Sequence, residues 1–349
     1  MAVTLKDIAK HTGFSITTIS RALAGYSDVS PATRQRVREV ADLLGYQPNL
    51  VARQLQAQRT RTLGMVLPER DRSVATDFFS ELLRGVSDAA SQANYDVLTS
   101  AQIYGTEDEM RAYRRMVGGG RVDGIILARA RRHDPRIAYL KAAGCPFAVS
   151  GRGGEGEPSD FPHIDIDNQA GIQQAAEHLI ALGHQHIGLI LPPEEMAYTA
   201  DRHEGYRCAL AHAVLPYRAD YVSHGDLLPG GGYQAAHALM TAHPTITAII
   251  ACSDLMAFGA MQAVQVLGKR VGRDVAVTGF DDIPLAQYAN PPLTTIHQPI
   301  YEIGQQLTQH LIALIEEEAV EPLRTILPAA LIVRESSQGR AEGQGLRAE

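Results

Sequence analysis

From Thr62 onward, short continuous apolar runs alternate with stretches of helical periodicity, and no other feature of the chain restricts its fold so tightly. The runs are Leu63–Leu67, Val97–Thr99, Val122–Leu127, Phe147–Val149, Ile187–Leu191, Ala248–Ala251 and Val275–Gly279. Helical stretches separate or follow them, among them Phe78–Ala93, Asp167–Leu182, Ala235–Ala242, Leu255–Leu267 and Glu302–Glu318. A strand that is apolar at successive positions hides both faces, and the intervening helices supply the cover. The pattern therefore predicts parallel sheets with helices on both sides, an α/β body. The strands are too many for one comfortable sheet, so two doubly wound lobes are expected, with a cleft at the C-terminal ends of the strands.

The first sixty residues read differently. Thr4, with Asp7 three residues on, opens a helix whose apolar stripe is Leu5, Ile8 and Ala9. Gly13 breaks it, and Ser15 caps a second helix carrying Ile16, Ile19 and Leu23. Ser30 caps a third, with Pro31 at its first position, an inner face of Val37, Val40, Ala41 and Leu44, and Gly45 at its end. Small Ala9 lets two helices cross closely, Gly13 permits the turn, and Ile19 locks the second helix onto the first, which is what a helix-turn-helix requires. The second helix then turns Ile16, Thr17, Ser20 and Arg21 outward, toward a major groove. There an arginine suits guanine O6 and N7, an isoleucine a thymine methyl, and a threonine either kind of base edge. A three-helix scaffold with no nucleic acid fits the helical pattern equally well.

After Tyr46, Pro48 and Asn49 open a short apolar-basic stretch of Leu50, Val51, Ala52, Arg53, Gln54 and Leu55. It is shorter than the ~12–15 residues an isolated helix needs, so it is expected to fold only against a surface. Leu55 beside Arg53 suits a minor-groove wedge; a plain linker whose leucine packs on the body is the other reading.

The chain at this point resembles the lactose/galactose-repressor family of bacterial transcription regulators. The resemblance rests on the A-x3-G-x5-I core at Ala9, Gly13 and Ile19, the VSPxTRxRV stretch from Val29, and the LGYxPNxxAR hinge from Leu44, and it extends over nearly the whole chain. It implies a helix-turn-helix headpiece over 1–46, a hinge helix and linker over 47–61, a two-lobed periplasmic-binding-protein-like body over 62–335, and a polar tail over 336–349. Crossovers between lobes are expected near 150–162 and 291–299, and a final strand near Leu327–Val333. The resemblance places Ile16, Thr17 and Arg21 where operator bases are read and Leu55 where a hinge leucine intercalates. Thr4, Ser15, Thr18, Ser20, Asn49, Ala52 and Arg53 complete the expected DNA contacts.

In the body, polar groups stand just past apolar strands, where an unpaired charge faces a cleft more cheaply than a core. They are Arg152, Arg202, Ser253 with Asp254, and Asp281 with Asp282. Arg202 and Asp281 read as ligand contacts, whereas Asp254 and Asp282 read as groups that hold the cleft or cap a helix. The resemblance adds that Arg202 in R-x-x-G-Y and Asp281 in G-F-D-D match effector-binding positions, and that Ser253 stands where asparagine is common. Phe79 is the expected pocket residue of the D-F-F stretch, Leu227 replaces an aromatic that covers a ring in several relatives, and Arg152 and Gln298 complete the expected effector set. Without that aromatic, and without any tryptophan, a sugar, oligosaccharide or glycoside fits better than a stacked base. A purine or other metabolite is the alternative effector.

The sequence carries no dinucleotide fingerprint, phosphate-binding loop, zinc-protease motif or nucleophile elbow, so neither a cofactor nor an enzyme is expected. His184 and His186 lack a third metal ligand, and Cys145, Cys208 and Cys252 form neither a zinc pattern nor a disulfide framework. With no signal segment and no run of ~18 apolar residues, a cytoplasmic protein is expected, and a transport-type solute-binding protein fits less well. The net charge of −7 argues against nucleic-acid binding only while the chain is read whole. Residues 1–61 hold nine basic and four acidic residues, a net +5, which leaves −12 on the remainder. A basic reader of double-stranded operator DNA joined to an acidic ligand sensor accounts for that split. The polar end Arg334–Glu349 has no leucine heptads, so a homodimer matching a palindromic site is the simplest assembly.

Overall fold

A computed structural model of the chain describes residues 3–46, 59–68, 77–152 and 160–339. Two compact units meet in sequence at Arg59 and Thr60. In the first, helices α1 (Leu5–Thr12), α2 (Ile16–Leu23) and α3 (Pro31–Leu44) enclose a core of Ile8, Ile19, Ala22, Val29, Val37 and Ala41. Local chemistry sets each helix end. The Asp7 carboxylate accepts from the Thr4 amide at 3.0 Å and the Thr4 hydroxyl at 2.7 Å. Ser15 Oγ accepts from the Thr18 amide at 3.1 Å, and Ser30 Oγ from the Thr33 amide at 3.2 Å. Gly13 ends α1 at a φ of 75°, a left-handed conformation open to glycine at little cost.

The second unit starts at Thr60. The Asp123 carboxylate accepts from the Thr60 amide at 2.6 Å, the Thr60 hydroxyl at 2.8 Å and the Arg61 amide at 2.8 Å. These bonds fix the chain just ahead of the first strand. The unit contains two parallel sheets. The N-terminal lobe is built on β1 (Thr62–Pro68), β2 (Asp96–Gln102), β3 (Gly124–Leu127), β4 (Phe147–Ser150), β5 (His163–Ile166) and β11 (Arg324–Leu327), in the spatial order β11-β5-β4-β3-β1-β2. The C-terminal lobe holds β6 (Ile187–Leu191), β7 (Val222–His224), β8 (Ala248–Ala251) and β9 (Ala276–Thr278), in the order β7-β6-β8-β9. Helices α4 (Asp77–Gln92), α5 (Glu107–Val117), α6 (Pro135–Ala142) and α11 (Ile300–Ile315) serve the first lobe. The second has α7 (Asn168–Ala181), α8 (Thr199–His212), α9 (Pro229–Ala242) and α10 (Asp254–Val266). Helix α11 follows the second lobe in sequence yet docks on α4 of the first. Gly85 and Gly304 make that approach possible, since a Cβ at either would strike the backbone of the opposite helix.

The crossovers differ in part from the sequence expectation. Strands β4 and β5 pair with each other in the first lobe, Val149 with His163 and Ser150 with Ile164. The chain first changes lobe at Asp167, after β5, so the crossover expected near 150–162 is misplaced. The second change follows β10 (Thr295–His297), inside the expected 291–299 span. The single final strand expected near Leu327–Val333 is two strands in two sheets. β11 pairs with β5 in the first lobe, and β12 (Ala330–Ile332) pairs antiparallel with β10. Pro328 stands in the third crossover between them and lacks the N–H a continuous strand would need. The tail expected from residue 336 begins later. Ser336 and Ser337 are buried, and Ser336 Oγ donates to Val277 O at 2.6 Å and accepts from the Thr294 amide at 2.8 Å. Ser337 Oγ meets His178 Nε2 at 2.8 Å and Thr294 Oγ1 at 2.6 Å, so two small hydroxyls that look polar in a sequence are structural here.

Each lobe has a topological switch point, where successive connections leave in opposite directions along the sheet. In the first lobe it lies between β1 and β3, and in the second between β6 and β8. The segments after strands β3, β6 and β8 supply Arg129, Tyr198, Cys252 and Ser253, and all four line the cleft described next.

Candidate functional site

In the first unit, α2 presents a polar face. Ile19 and Ala22 are buried against α1 and α3, which leaves Ile16 43% exposed and Thr17 exposed. Ser20 and Arg21 are half-buried beside them. Thr18 lies lower on the helix, its hydroxyl 2.8 Å from that of Ser15, so this pair also builds the helix start. Arg21 is held ready. Its Nη2 lies 2.6 Å from Asp28 Oδ2 and its guanidinium sits 4.6 Å from the Tyr26 ring centre. That exposed ion pair is worth only ~0–1 kcal/mol, less than a bidentate contact to guanine at ~1–3 kcal/mol, so a base edge can take the arginine over. Thr4 is exposed at the start of α1. The hinge residues Asn49, Ala52, Arg53 and Leu55 lie outside the described residues.

In the second unit a cleft opens between the lobes. Arg202, at the start of α8, is buried among polar partners. Its Nε donates to Asn168 Oδ1 at 2.8 Å and its Nη1 to the Cys252 carbonyl at 2.6 Å. The guanidinium lies 3.6 Å from the Phe280 ring centre and 4.4 Å from that of Tyr198. Held by two acceptors and stacked on two rings, the arginine is fixed in the cleft lining. Asp281 faces the same space, its Oδ1 accepting from Gln298 Nε2 at 2.5 Å. Asp254, behind it, caps the turn by accepting from the Ile283 amide at 2.9 Å and the Thr295 hydroxyl at 2.5 Å. Burial, then the charge of Asp281, pushes the Asp254 carboxyl up to about 8. Burial also raises Asp281, to about 6, against the pull of Arg202 and Arg129.

Three cleft residues are held in a backbone conformation that side chains rarely adopt, with φ of 54° at Arg129, 66° at Leu227 and 126° at Asp281. Such strain costs of order 1–3 kcal/mol each and persists where surrounding structure over-determines it, as at binding sites.

Arg202, Leu227, Ser253, Asp281 and Gln298 thus come together on one cavity. Phe79 does not join them. It belongs to the inner stripe of α4 with Leu82, Val86 and Ala90, so helical phase turns it into the core and leaves its neighbour Phe78 on the cleft wall. Arg152 stands off the cavity lining. Its Nε lies 2.9 Å from Asp165 Oδ2 and its Nη2 3.0 Å from Asp201 Oδ2, so it straps the first lobe to the second. Asp282 turns away to Arg334 at 2.7 Å and His297 at 3.0 Å.

The cleft also includes Arg129, Ser150, Asp165, Asn168 and Tyr198, which sequence reasoning missed. Arg129 follows the apolar strand β3 and carried the signal that drew attention to Arg152. Asn168 and Tyr198 carried no such signal. His184 Nδ1 meets Thr247 Oγ1 at 2.9 Å and His186 Nδ1 meets the Tyr221 hydroxyl at 3.0 Å, two separate structural bonds. Among the described residues no group of three or more His, Cys, Asp or Glu is placed to hold a metal ion, and no helix is long and apolar enough to cross a membrane.

Comparison with known proteins agrees with both halves of this description. A family model described as bacterial regulatory proteins, lacI family, matches residues 4–49, and a periplasmic binding protein-like domain matches residues 176–337. The HTH-type transcriptional regulator CelR of Thermobifida fusca is 36% identical over 335 residues, covering 95% of this chain and 98% of that one. A solved complex of transcriptional regulator CelR with cellobiose superposes with a TM-score of 0.74 at 34% identity, covering 96% of this chain and 99% of that one. A lac repressor dimer bound to operator and an anti-inducer gives a TM-score of 0.82 at 28% identity, over 97% of this chain and 99% of that one.

Proposed function

The chain belongs to the lacI family of bacterial regulatory proteins, and we propose from that premise that it is a homodimeric repressor that a sugar releases from a palindromic operator. The observation that carries the sugar reading is the mixture of fixed donors and acceptors in the cleft. Arg202 and Gln298 carry donors and Asp165 and Asp281 acceptors along the lining, close to an aliphatic and aromatic wall of Ile164, Leu227 and Tyr198. Neighbouring hydroxyls of a sugar each need both kinds of partner, and a site whose buried polar groups require those hydroxyls rejects ligands that lack them. Leu227 offers no ring on which a purine could stack. The relative solved with cellobiose points the same way.

Regulation follows from linkage. A sugar that touches both lobes binds the closed arrangement better than the open one, and it shifts the population toward closure. If closure disfavours operator binding, sugar and operator weaken each other by one common factor. Binding rather than catalysis fits the carboxylates, since Gln298 holds Asp281, and Thr295 with the Ile283 amide holds Asp254. Work on operator DNA also puts the protein in the cytoplasm. A thermal-shift screen of monosaccharides and disaccharides against adenine, hypoxanthine and nucleosides tests the effector class. Stabilisation by one or more sugars and by none of the purines is expected; stabilisation by a purine alone overturns the sugar reading.

A further inference from the structure

Arg152 stands among three carboxylates at the boundary between the lobes. On the first-lobe side its Nε lies 2.9 Å from Asp165 Oδ2. On the second-lobe side its Nη2 lies 3.0 Å from Asp201 Oδ2, in the first turn of α8. The third carboxylate, Asp167, stands at the crossover and caps α7 by accepting from the Ala170 amide at 2.9 Å. Its charge acts on both Arg152 and Asp201.

The two ends of this strap are unlike. Asp165 is a buried anchor whose Oδ1 accepts from the Ile166 amide at 2.8 Å and Asn168 Nδ2 at 3.1 Å. Asp201 makes no other ion pair or side-chain hydrogen bond among the described residues. Burial holds its carboxyl above the usual range, Asp165 and Asp167 push the same way, and Arg152 and Arg202 oppose them. Arg152 therefore balances negative charge that meets across the boundary. Without it, Asp201 would face Asp165 and Asp167 with repulsion where there is now attraction.

The strap also reaches the cleft. Asp165 lines it, and Asn168, which donates to Asp165, accepts from Arg202 Nε at 2.8 Å. One polar chain thus runs from Asp201 through Arg152, Asp165 and Asn168 to Arg202. Elsewhere on the boundary two backbone hydrogen bonds join the segments after β3 and β6, Arg132 N to Glu195 O at 3.0 Å and Ala197 N to Ala130 O at 3.0 Å. They break when the lobes part, so they report on closure.

We propose that Arg152 is an interlobe latch, a positioning residue that bridges Asp165 and Asp201 and so sets the balance between open and closed lobes. It acts on any effector through that balance, because apparent affinity scales with the population of the competent arrangement. The latch rests on the geometry of the boundary and not on the identity of the effector.

The test is hydrogen exchange on the full chain, read by mass spectrometry with single-amide fragmentation. The amides of Arg132 and Ala197 report on the boundary. Those of Ile125 and Cys252, bonded to the Pro146 and Ile190 carbonyls inside one lobe each, are the controls. Arg152 is 31% exposed, so Arg152→Gln leaves no large void. It should speed exchange at Arg132 and Ala197 roughly three- to tenfold and leave the controls unchanged. Arg152→Lys keeps the charge without the fork and should fall between parent and Arg152→Gln. Adding Asp201→Asn to Arg152→Gln removes one repelling charge and should slow the two boundary amides again. A residue that only supports the fold would leave that double variant at least as loose as the single one. Unchanged exchange in Arg152→Gln, equal acceleration at all four amides, or a double variant looser than Arg152→Gln would each overturn the latch. Gel-shift titration of Arg152→Gln with a duplex selected from random sequence should show binding at least as tight as the parent's. If the boundary amides respond as expected while duplex binding weakens, the latch stands and the reading that closure releases the operator falls.

Discussion

Arg202→Lys separates two jobs that one side chain performs. The arginine supplies donors to Asn168 Oδ1 and the Cys252 carbonyl and fills the slot between Tyr198 and Phe280. Lysine keeps the charge beside Asp281 but cannot reach both acceptors at once. One buried acceptor left unpaired costs ~1–3 kcal/mol, and the lost planar stacking adds ~0.5–2 kcal/mol. A loss of roughly 2–4 kcal/mol follows, against a total stability of typically ~5–15 kcal/mol. Differential scanning calorimetry should therefore show a folded protein melting roughly 5–15 °C lower. The guanidinium that lines the cleft is lost as well. A hydrogen bond from a charged group is worth ~1.5–3 kcal/mol, so sugar affinity should fall ~10–100-fold. Titration calorimetry well below the melting point measures that second effect alone. A folded variant that binds sugar within twofold of the parent would refute the placement of the effector at Arg202.

Two further outcomes follow from the same geometry and from the hinge. Asp254 and Asp281 hold protons more tightly folded than unfolded, their carboxyls standing at about 8 and about 6. Both contributions to stability are therefore present at low pH and are lost as pH rises through those values. Sugar affinity should move the opposite way, weakening below about pH 6 as the Asp281 acceptor is protonated. Melting temperatures and calorimetric affinities from pH 5 to 8 check both directions, and Asp254→Asn should flatten the stability profile while leaving the affinity profile in place. At the hinge, Leu55→Ala should lower operator affinity and leave sugar binding intact; an unchanged gel-shift titration would rule out the wedge role that the family resemblance gives Leu55.

How much of this was readable in the sequence depends on the range of the interactions. Helix starts at Ser15 and Ser30 and the turn at Gly13 depend on neighbours within a few residues, and they could be read directly. The strand runs were legible because continuous burial leaves a continuous apolar trace. The lobe to which a strand belongs was not, because β5 and β11 carry no local mark of their partner sheet. The choice between Phe78 and Phe79 turned on helical phase, which only the packed partner Leu82 and Val86 fixes. Arg152 and Arg129 look alike in sequence, each just past an apolar strand. Asp165 and Asp201 claim the first, whereas the second stacks on Phe78 and Phe79.

The central claim is that one chain couples sugar in the cleft to operator binding by the headpiece. Its direct measurement is a thermodynamic cycle. A duplex selected from random sequence by the protein is titrated by fluorescence anisotropy with and without saturating sugar, and the sugar is titrated by calorimetry with and without saturating duplex. The account predicts that sugar weakens duplex binding and that duplex weakens sugar binding by the same factor, within the ~5–150-fold range usual for allosteric coupling. Two ligands that bind the protein with no effect on each other would contradict it.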